Sequence, residues 1–180
     1  MTDELHEYRA KRDLESSGEP SGSHRAPGNR FVVQRHDASS LHFDVRLEID
    51  GVLVSWAVPK GPSTDPSQRR LARRTEDHPL DYVDFEGRID EGYGAGTVIV
   101  WDTGTYDLRT DGSAADALEN GHLTVELHGE KLTGGYAFTR TRNDDWLLIK
   151  TKDEGADRRR NPTSTQNESV LTGRGNDDYA

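Results

Sequence analysis

Between Leu41 and Ile49 the chain alternates without a break. Leu41, Phe43, Val45, Leu47 and Ile49 fall on one side of an extended backbone, and His42, Asp44, Arg46 and Glu48 on the other. A sustained period of two excludes an amphipathic helix and predicts a strand with one face in a core and one toward water. Asp50-Gly51 follows, a pair suited to a tight hairpin turn, and leads into a second apolar run, Val52–Val58. The same texture recurs in Arg30–Arg35, Gln68–Glu76, Thr97–Trp101, Leu123–Leu127, Gly135–Thr141 and Trp146–Thr151. Asp102-Thr103-Gly104-Thr105 reads as a second hairpin turn leading to Tyr106, and Asn143-Asp144 as a further turn. Only Ala114–Glu119 reads as helix. Many short strands at close spacing give an antiparallel barrel or sandwich. The expected fold is all-β: a compact antiparallel barrel with one or two short helices and its active site in a polar groove on the surface.

The 180 residues suit one domain, in three parts. Residues 1–29 form a polar arm rich in Ser, Gly and Pro, residues 30–152 the barrel, and residues 153–180 a tail without periodicity that is expected to be disordered. Acidic residues outnumber basic ones by 33 to 23, a net charge of −10, which excludes a chain that holds nucleic acid by bulk basicity. Any polyanion must be met by a local patch. The absence of cysteine excludes disulfides, thiolate metal sites and thiol nucleophiles, leaving His and carboxylate as metal ligands. No apolar stretch suits a signal peptide or a membrane span, so a cytoplasmic protein without a membrane partner is expected.

Parity places His42, Asp44 and Arg46 together on the polar side of their strand, and His36 reaches the same surface if its segment lies alongside. Two imidazoles and a carboxylate suit Mn²⁺, Fe²⁺ or Zn²⁺ and leave coordination positions for water and substrate. The alternating pattern alone is equally that of a solvated strand face. Around it the basic residues Arg46, Lys60, Arg69, Arg70, Arg73 and Arg74 stand out in an acidic chain. If Leu71 enters the core, Arg70, Arg74 and Glu76 line the outer surface, with His78 just beyond; Arg73 then shares the side of Leu71. Guanidinium forks match phosphate oxygens, and positive charge beside a metal suits phosphoryl chemistry. His78, biased away from helix by Pro79, and Tyr82 are candidate proton or hydrogen-bond donors to phosphate. Gly92–Gly96 precedes a strand, so it is a turn and not a phosphate-cradling loop. Trp56, Trp101 and Trp146 are assigned to the core, and His6, His24, His122 and His128 to the surface.

These residues occur in long blocks: KRDLESSGEP, FVVQRHDASSLHFDVRLEIDGVLVSWAVPKGPS, RRLARRTEDHPLDYVDFEG, EGYGAGTVIVWDTGTY, KLTGGYAFTRTR and DDWLLIKTKDEGAD. In this order they closely resemble the 3′-phosphoesterase module of DNA ligase D, from Tyr8 to Asp157. The resemblance implies a Mn²⁺-dependent enzyme that trims a 3′-terminal ribonucleotide and removes a 3′-phosphate, leaving a 3′-OH for ligation in non-homologous end joining. It implies metal ligation by His36, His42 and Asp44, and phosphate-contacting or catalytic roles for Arg46, Lys60, Arg70, His78, Tyr82 and Glu76. Arg12, Asp13 and Glu19 match active-site positions, so the arm is expected to fold back over the barrel. Two departures stand out: the EGYGAG loop is one residue shorter than usual, and Arg73 replaces a commonly apolar residue. No ligase or polymerase region is present, which implies a stand-alone, monomeric enzyme acting on DNA or RNA/DNA 3′ ends beside a separate ligase and a Ku-like protein. Two other readings use the same residues. One is a non-catalytic DNA-end-binding scaffold; the other is an Fe(II) oxygenase with His42, Asp44 and His78 as a facial triad.

Overall fold

The computed structural model describes residue 5, residues 28–90, residue 92 and residues 95–180. Arg12, Asp13 and Glu19, and with them the expected fold-back of the arm, lie outside the described residues.

Nine strands make one antiparallel sheet: β1 Arg30–Asp37, β2 Leu41–Ile49, β3 Val52–Val58, β4 Arg69–Arg74, β5 Gly87–Ile89, β6 Gly96–Leu108, β7 His122–His128, β8 Thr133–Arg142 and β9 Asp145–Lys150. Their order is β1-β2-β3-β4-β9-β8-β7-β6, and pairing of β1 with β6 closes eight of them into a barrel, with β5 added along the first residues of β6. Among the described residues two short α-helices accompany them: α1 Ala114–Glu119, whose N-cap Ser113 hydroxyl accepts the Asp116 N–H at 3.1 Å, and α2 Pro162–Thr165. The all-β barrel is therefore as the alternation requires. No helix among the described residues is long and apolar enough to cross a membrane.

The turn chemistry explains how the strands meet. Asp50 and Gly51 both adopt positive φ, 51° and 85°, which matches the twist of a two-residue hairpin. At the other end of β1, a β-carbon on Gly96 would lie 2.2 Å from the Asp37 carbonyl oxygen, so only glycine lets β6 start against the end of β1.

The barrel interior takes the odd-numbered side of β2: Phe43, Val45 and Leu47 are buried with Phe31, Val33, Trp56, Trp101, Phe138 and Trp146. Trp56 packs at 4.6 Å on Phe138 and edge-on at 5.5 Å to Trp146, and Phe43 meets Trp101 edge-on at 5.3 Å. A second, smaller apolar layer lies outside the ring. There Val32, Leu53 and Val100 are covered by Leu80, Tyr82 and Val83 of the 3-10 turn Leu80–Asp84.

Three expectations do not hold. Leu71 is 50% exposed, and Ala72 is the residue of β4 that enters the core. Ala72 pairs with Trp146, and Trp56 with Arg74, so two indoles already occupy the space and only a methyl fits between the flanking strands. Arg70 and Arg74 consequently share the side of Ala72, while Arg73 points outward, 3.6 Å from Asp145. Next, Asp102–Thr105 is no turn: β6 runs continuously through it, with a register shift against Val33/Gln34. The Asp102 carboxylate accepts the N–H groups of Glu130 and Leu132, 2.9 and 2.8 Å away, instead of closing a turn in its own strand, and burial pushes its carboxyl above the usual range. Finally, the segment after β9 is ordered against the barrel. The Trp101 indole donates to the Gln166 carbonyl at 2.5 Å, and Asn176 donates to the carbonyls of Arg35 and Thr97 at 3.0 and 2.9 Å. Glu86 gathers the Val100 N–H and the hydroxyls of Ser169, Thr172 and Tyr179. This order comes from polar bonds to the barrel and leaves no periodic signature.

Candidate functional site

Three side chains converge on the outer face of β1 and β2. The register sets His36 opposite His42 and Gln34 opposite Asp44, so the even-numbered residues of both strands share one side. His36 Nδ1 lies 3.3 Å from Asp44 Oδ2, and His42 Nε2 lies 3.2 Å from Asp44 Oδ1. The two imidazole rings are 4.8 Å apart, and one ligand atom from each of the three residues falls within 4.8 Å of the others. Two imidazoles and one carboxylate at this separation fit a divalent transition metal. His42 also sets its Nδ1 3.3 Å from the Ser40 carbonyl, the orienting contact that ligating histidines commonly make through their second nitrogen.

The electrostatics follow from that crowding. Burial alone would lower the His42 pKa, but the hydrogen bond and charge of Asp44 and the Ser40 carbonyl outweigh it and raise the value. Asp44 is drawn the other way. Burial disfavours its charge, yet the Arg46 guanidinium and the two imidazoles hold its carboxyl well below the usual range.

Arg46 is the buried neighbour of this group. Its Nη2 lies 3.4 Å from Asp44 Oδ2, its Nε donates to Gln34 Oε1 at 2.8 Å, and its Nη1 donates to the Ser55 hydroxyl at 2.8 Å. Its face covers the Tyr82 ring, 4.9 Å from the centroid, and Tyr82 in turn meets the His78 ring edge-on at 4.8 Å. His78 Nδ1 is 3.0 Å from the Glu76 carbonyl, and its backbone forms a bridge to Leu53. Because a carbonyl only accepts, Nδ1 carries the proton, and Nε2 donates only in the cationic form. Glu76 is itself buried.

The trio His36, His42 and Asp44, with Arg46, Tyr82 and His78, is thus brought together. Lys60 and Arg70 meet each other: Arg70 Nη1 donates to the Lys60 carbonyl at 3.2 Å and Nη2 to Gln68 at 2.8 Å, on the side of β4 that Ala72 shares. Burial lowers the Arg70 pKa. The facial-triad alternative is not favoured, since the histidine that joins His42 and Asp44 is His36 rather than His78. A second group among the described residues, Asp107, Glu126 and His128, lies on strand positions where Asp107 and His128 are exposed and Glu126 is half-buried. It is internally paired, His128 with Asp107 at 2.8 Å and Arg109 with Glu126.

Sequence reasoning missed Gln34 and Ser55, the two neutral groups that hold Arg46. Ser55 is a buried polar residue within an otherwise apolar strand, which is an available signal; Gln34 follows the apolar run Phe31–Val33 in a strand with several polar residues and carries no such contrast.

The fold and site define a class: a small closed β-barrel that presents on its outer wall a His–His–Asp group able to hold a metal ion, backed by a buried arginine. The chain belongs to the DNA ligase D 3′-phosphoesterase domain family, whose model matches residues 34–140. It is 52% identical over 160 residues to the multifunctional non-homologous end joining protein LigD of Pseudomonas aeruginosa, covering 83% of this chain and 19% of that protein. It is 46% identical over 158 residues to the multifunctional non-homologous end joining DNA repair protein LigD of Mycobacterium tuberculosis, covering 86% of this chain and 20% of that protein. The LigD of Mycolicibacterium smegmatis matches at 41% over 163 residues, 86% of this chain and 21% of that protein. The chain therefore spans about a fifth of the length of the curated relatives it matches.

Proposed function

We propose that the chain is a metal-dependent 3′-phosphoesterase that heals DNA ends for non-homologous end joining, removing 3′-phosphates and 3′-terminal ribonucleotides. The observation that carries this reading is the convergence of His36, His42 and Asp44 beside Arg46 on the outer face of β1 and β2. His36, His42 and Asp44 would hold Mn²⁺, which when bound supplies Lewis-acid polarisation of the phosphate.

The remaining groups act on charge and protons. Among the described residues, Arg46 is held by Gln34, Ser55 and Asp44, which engage three of its five N–H donors, and the others are the proposed donors to a phosphate oxygen. A fixed guanidinium needs little reorganisation when charge develops on those oxygens. Lys60 and Arg70 add positive charge on the approach side, and Glu76 steadies the His78 loop through its carbonyl. In the reaction, water forms the new P–O bond, the bond to the sugar 3′-oxygen breaks, and that oxygen takes up a proton. His78 in its cationic form and Tyr82 are the proposed donors. Arg12, Asp13 and Glu19 are assigned to the same site through the family resemblance. The substrates are DNA or RNA/DNA 3′ ends, and the setting proposed is a cytoplasmic monomer working with a ligase and a Ku-like protein.

Incubation with Mn²⁺ and a primer-template ending in a 3′-phosphate tests this. Phosphate release that disappears in His42→Ala is expected. Full activity of His42→Ala would remove the metal assignment, and no release in any divalent metal would favour the end-binding scaffold.

A further inference from the structure

The loop after β3 and the segment after β9 are knitted together. The Thr64 hydroxyl donates to the carbonyls of Asp157 and Arg160 at 2.8 and 3.0 Å, and the Thr64 carbonyl accepts the Asp157 N–H at 2.8 Å. Arg158 Nε lies 3.7 Å from Asp65. The two segments close over the start of β2 at Gly61, where a β-carbon would stand 2.7 Å from Thr163 and 2.8 Å from the Phe43 ring. β3 ends at Val58 opposite Phe43, so the loop that begins there leaves the sheet level with His42, at the end of β2 that carries the proposed site.

Where they meet, the charge is opposite to that of the chain. Residues 60–70 and 157–160 carry Lys60, Arg69, Arg70, Arg158, Arg159 and Arg160 against Asp65 and Asp157, while the chain as a whole carries −10. The side chains of Arg158 and Arg159 are 74% and 98% exposed. Their carboxylate neighbours are at 3.7 and 3.9 Å, loose contacts that contribute little at a solvated surface.

We infer that this rim is a second nucleic-acid contact, in which Arg158 and Arg159 grip backbone phosphates of the strand upstream of its 3′ end. The inference rests on the phosphoesterase reading, since it needs a chain end at His36, His42 and Asp44. A duplex carries about one charge per 1.7 Å of axis, so a terminal phosphate in the site lays further phosphates over neighbouring protein. In an acidic chain those phosphates are repelled except where arginines concentrate. Contacts to phosphate carry no base information, which suits a protein that must accept any broken end. Arginine forks also take phosphate oxygens in pairs.

The test uses the whole chain and the double variant Arg158→Ala/Arg159→Ala. Fluorescence anisotropy with a 3′-phosphorylated duplex, in EDTA to suppress turnover, is measured across salt concentrations. The slope of log K against log salt is expected to lose about 1–2 in magnitude, near 0.9 per contact removed, with weaker binding at low salt. With Mn²⁺, phosphate release from a 3′-phosphorylated dinucleotide should stay within about twofold of wild type, because it is too short to reach the rim. An unchanged slope and affinity would overturn the inference, as would an equal loss on dinucleotide and duplex. Loss of polyglutamate binding with duplex binding intact would overturn it in favour of an acidic protein partner. If wild type releases phosphate from neither substrate, the functional reading falls while the salt slope still decides the rim.

Discussion

The guanidinium carbon of Arg46 stands 4.9 Å over the ring of Tyr82, and the backbone carbonyl of the same Tyr82 accepts, at 3.1 Å, the Gln34 amide whose oxygen holds Arg46. Gln34 thereby ties a strand of the barrel to the turn that covers it. Replacement Gln34→Leu keeps the volume but removes a partner from the buried Arg46 Nε, at a cost of about 1–3 kcal/mol in urea unfolding. Turnover should fall while metal binding persists, because no ligand is touched. Tyr82→Phe keeps the ring and should change stability by less than about 1 kcal/mol, yet reduce phosphate release by roughly tenfold if the hydroxyl serves the substrate. Normal turnover in Tyr82→Phe would confine Tyr82 to packing.

Metal binding should be visible without any substrate. A ligand that binds only the folded state stabilises it by about 2.7 kcal/mol at a hundred times its dissociation constant, or roughly 5–10 °C in Tm for a chain of this size. Calorimetry with and without Mn²⁺ should show that rise for wild type and none for His36→Ala, His42→Ala or Asp44→Ala. A rise retained in Asp44→Ala would place the ion elsewhere.

Away from the site, the fully buried Lys150 ammonium lies 2.5 Å from Asp153, which also accepts the Gly135 and Gly155 N–H groups at 2.7 and 2.9 Å. Burial works against the Asp153 charge, but the Lys150 bond and these N–H groups prevail and take its pKa to about 2. A carboxyl depressed in the folded state stabilises the fold above its unfolded value near 3.8, and that contribution disappears as pH drops from there toward 2. Asp153→Asn should be destabilised by about 2 kcal/mol at neutral pH, since Lys150 loses its counter-charge. The gap to wild type should close below pH 4 in a denaturant series taken down in pH; a gap independent of pH would refute the pairing.

Glu86 is the anchor of the C-terminal segment, through Ser169, Thr172 and Tyr179. In Glu86→Ala, limited proteolysis read by mass spectrometry should cut first within residues 166–180, with the barrel intact. Equal resistance of the two proteins would mean that Val170 and Asn176 suffice to hold the segment.

What could be read in the chain beforehand followed from how strongly each element advertised its faces. In β2 every apolar residue is large and every polar one charged or aromatic, so its sides were unambiguous and with them His42, Asp44 and Arg46. In RRLARR the decision lay between one leucine and one alanine, and the larger residue was the wrong choice because Trp56 and Trp146 had already filled the interior. That His36 rather than His78 completes the trio depended on strand register, which no local pattern carries. Residues 153–180 hid their order because it consists of polar bonds to distant partners such as Glu86 and Arg35. Gln34 and Ser55 were similarly silent until their common partner was seen.

The two sides of β2 share no side chain: one belongs wholly to the interior, the other to His36, Arg46 and their neighbours. Variation can therefore be introduced separately. A library restricted to positions 43, 45 and 47 would tune heat resistance while leaving catalytic competence to be inherited unchanged, whereas positions 34 and 55, which hold the buried Arg46, would shift reactivity and melting together.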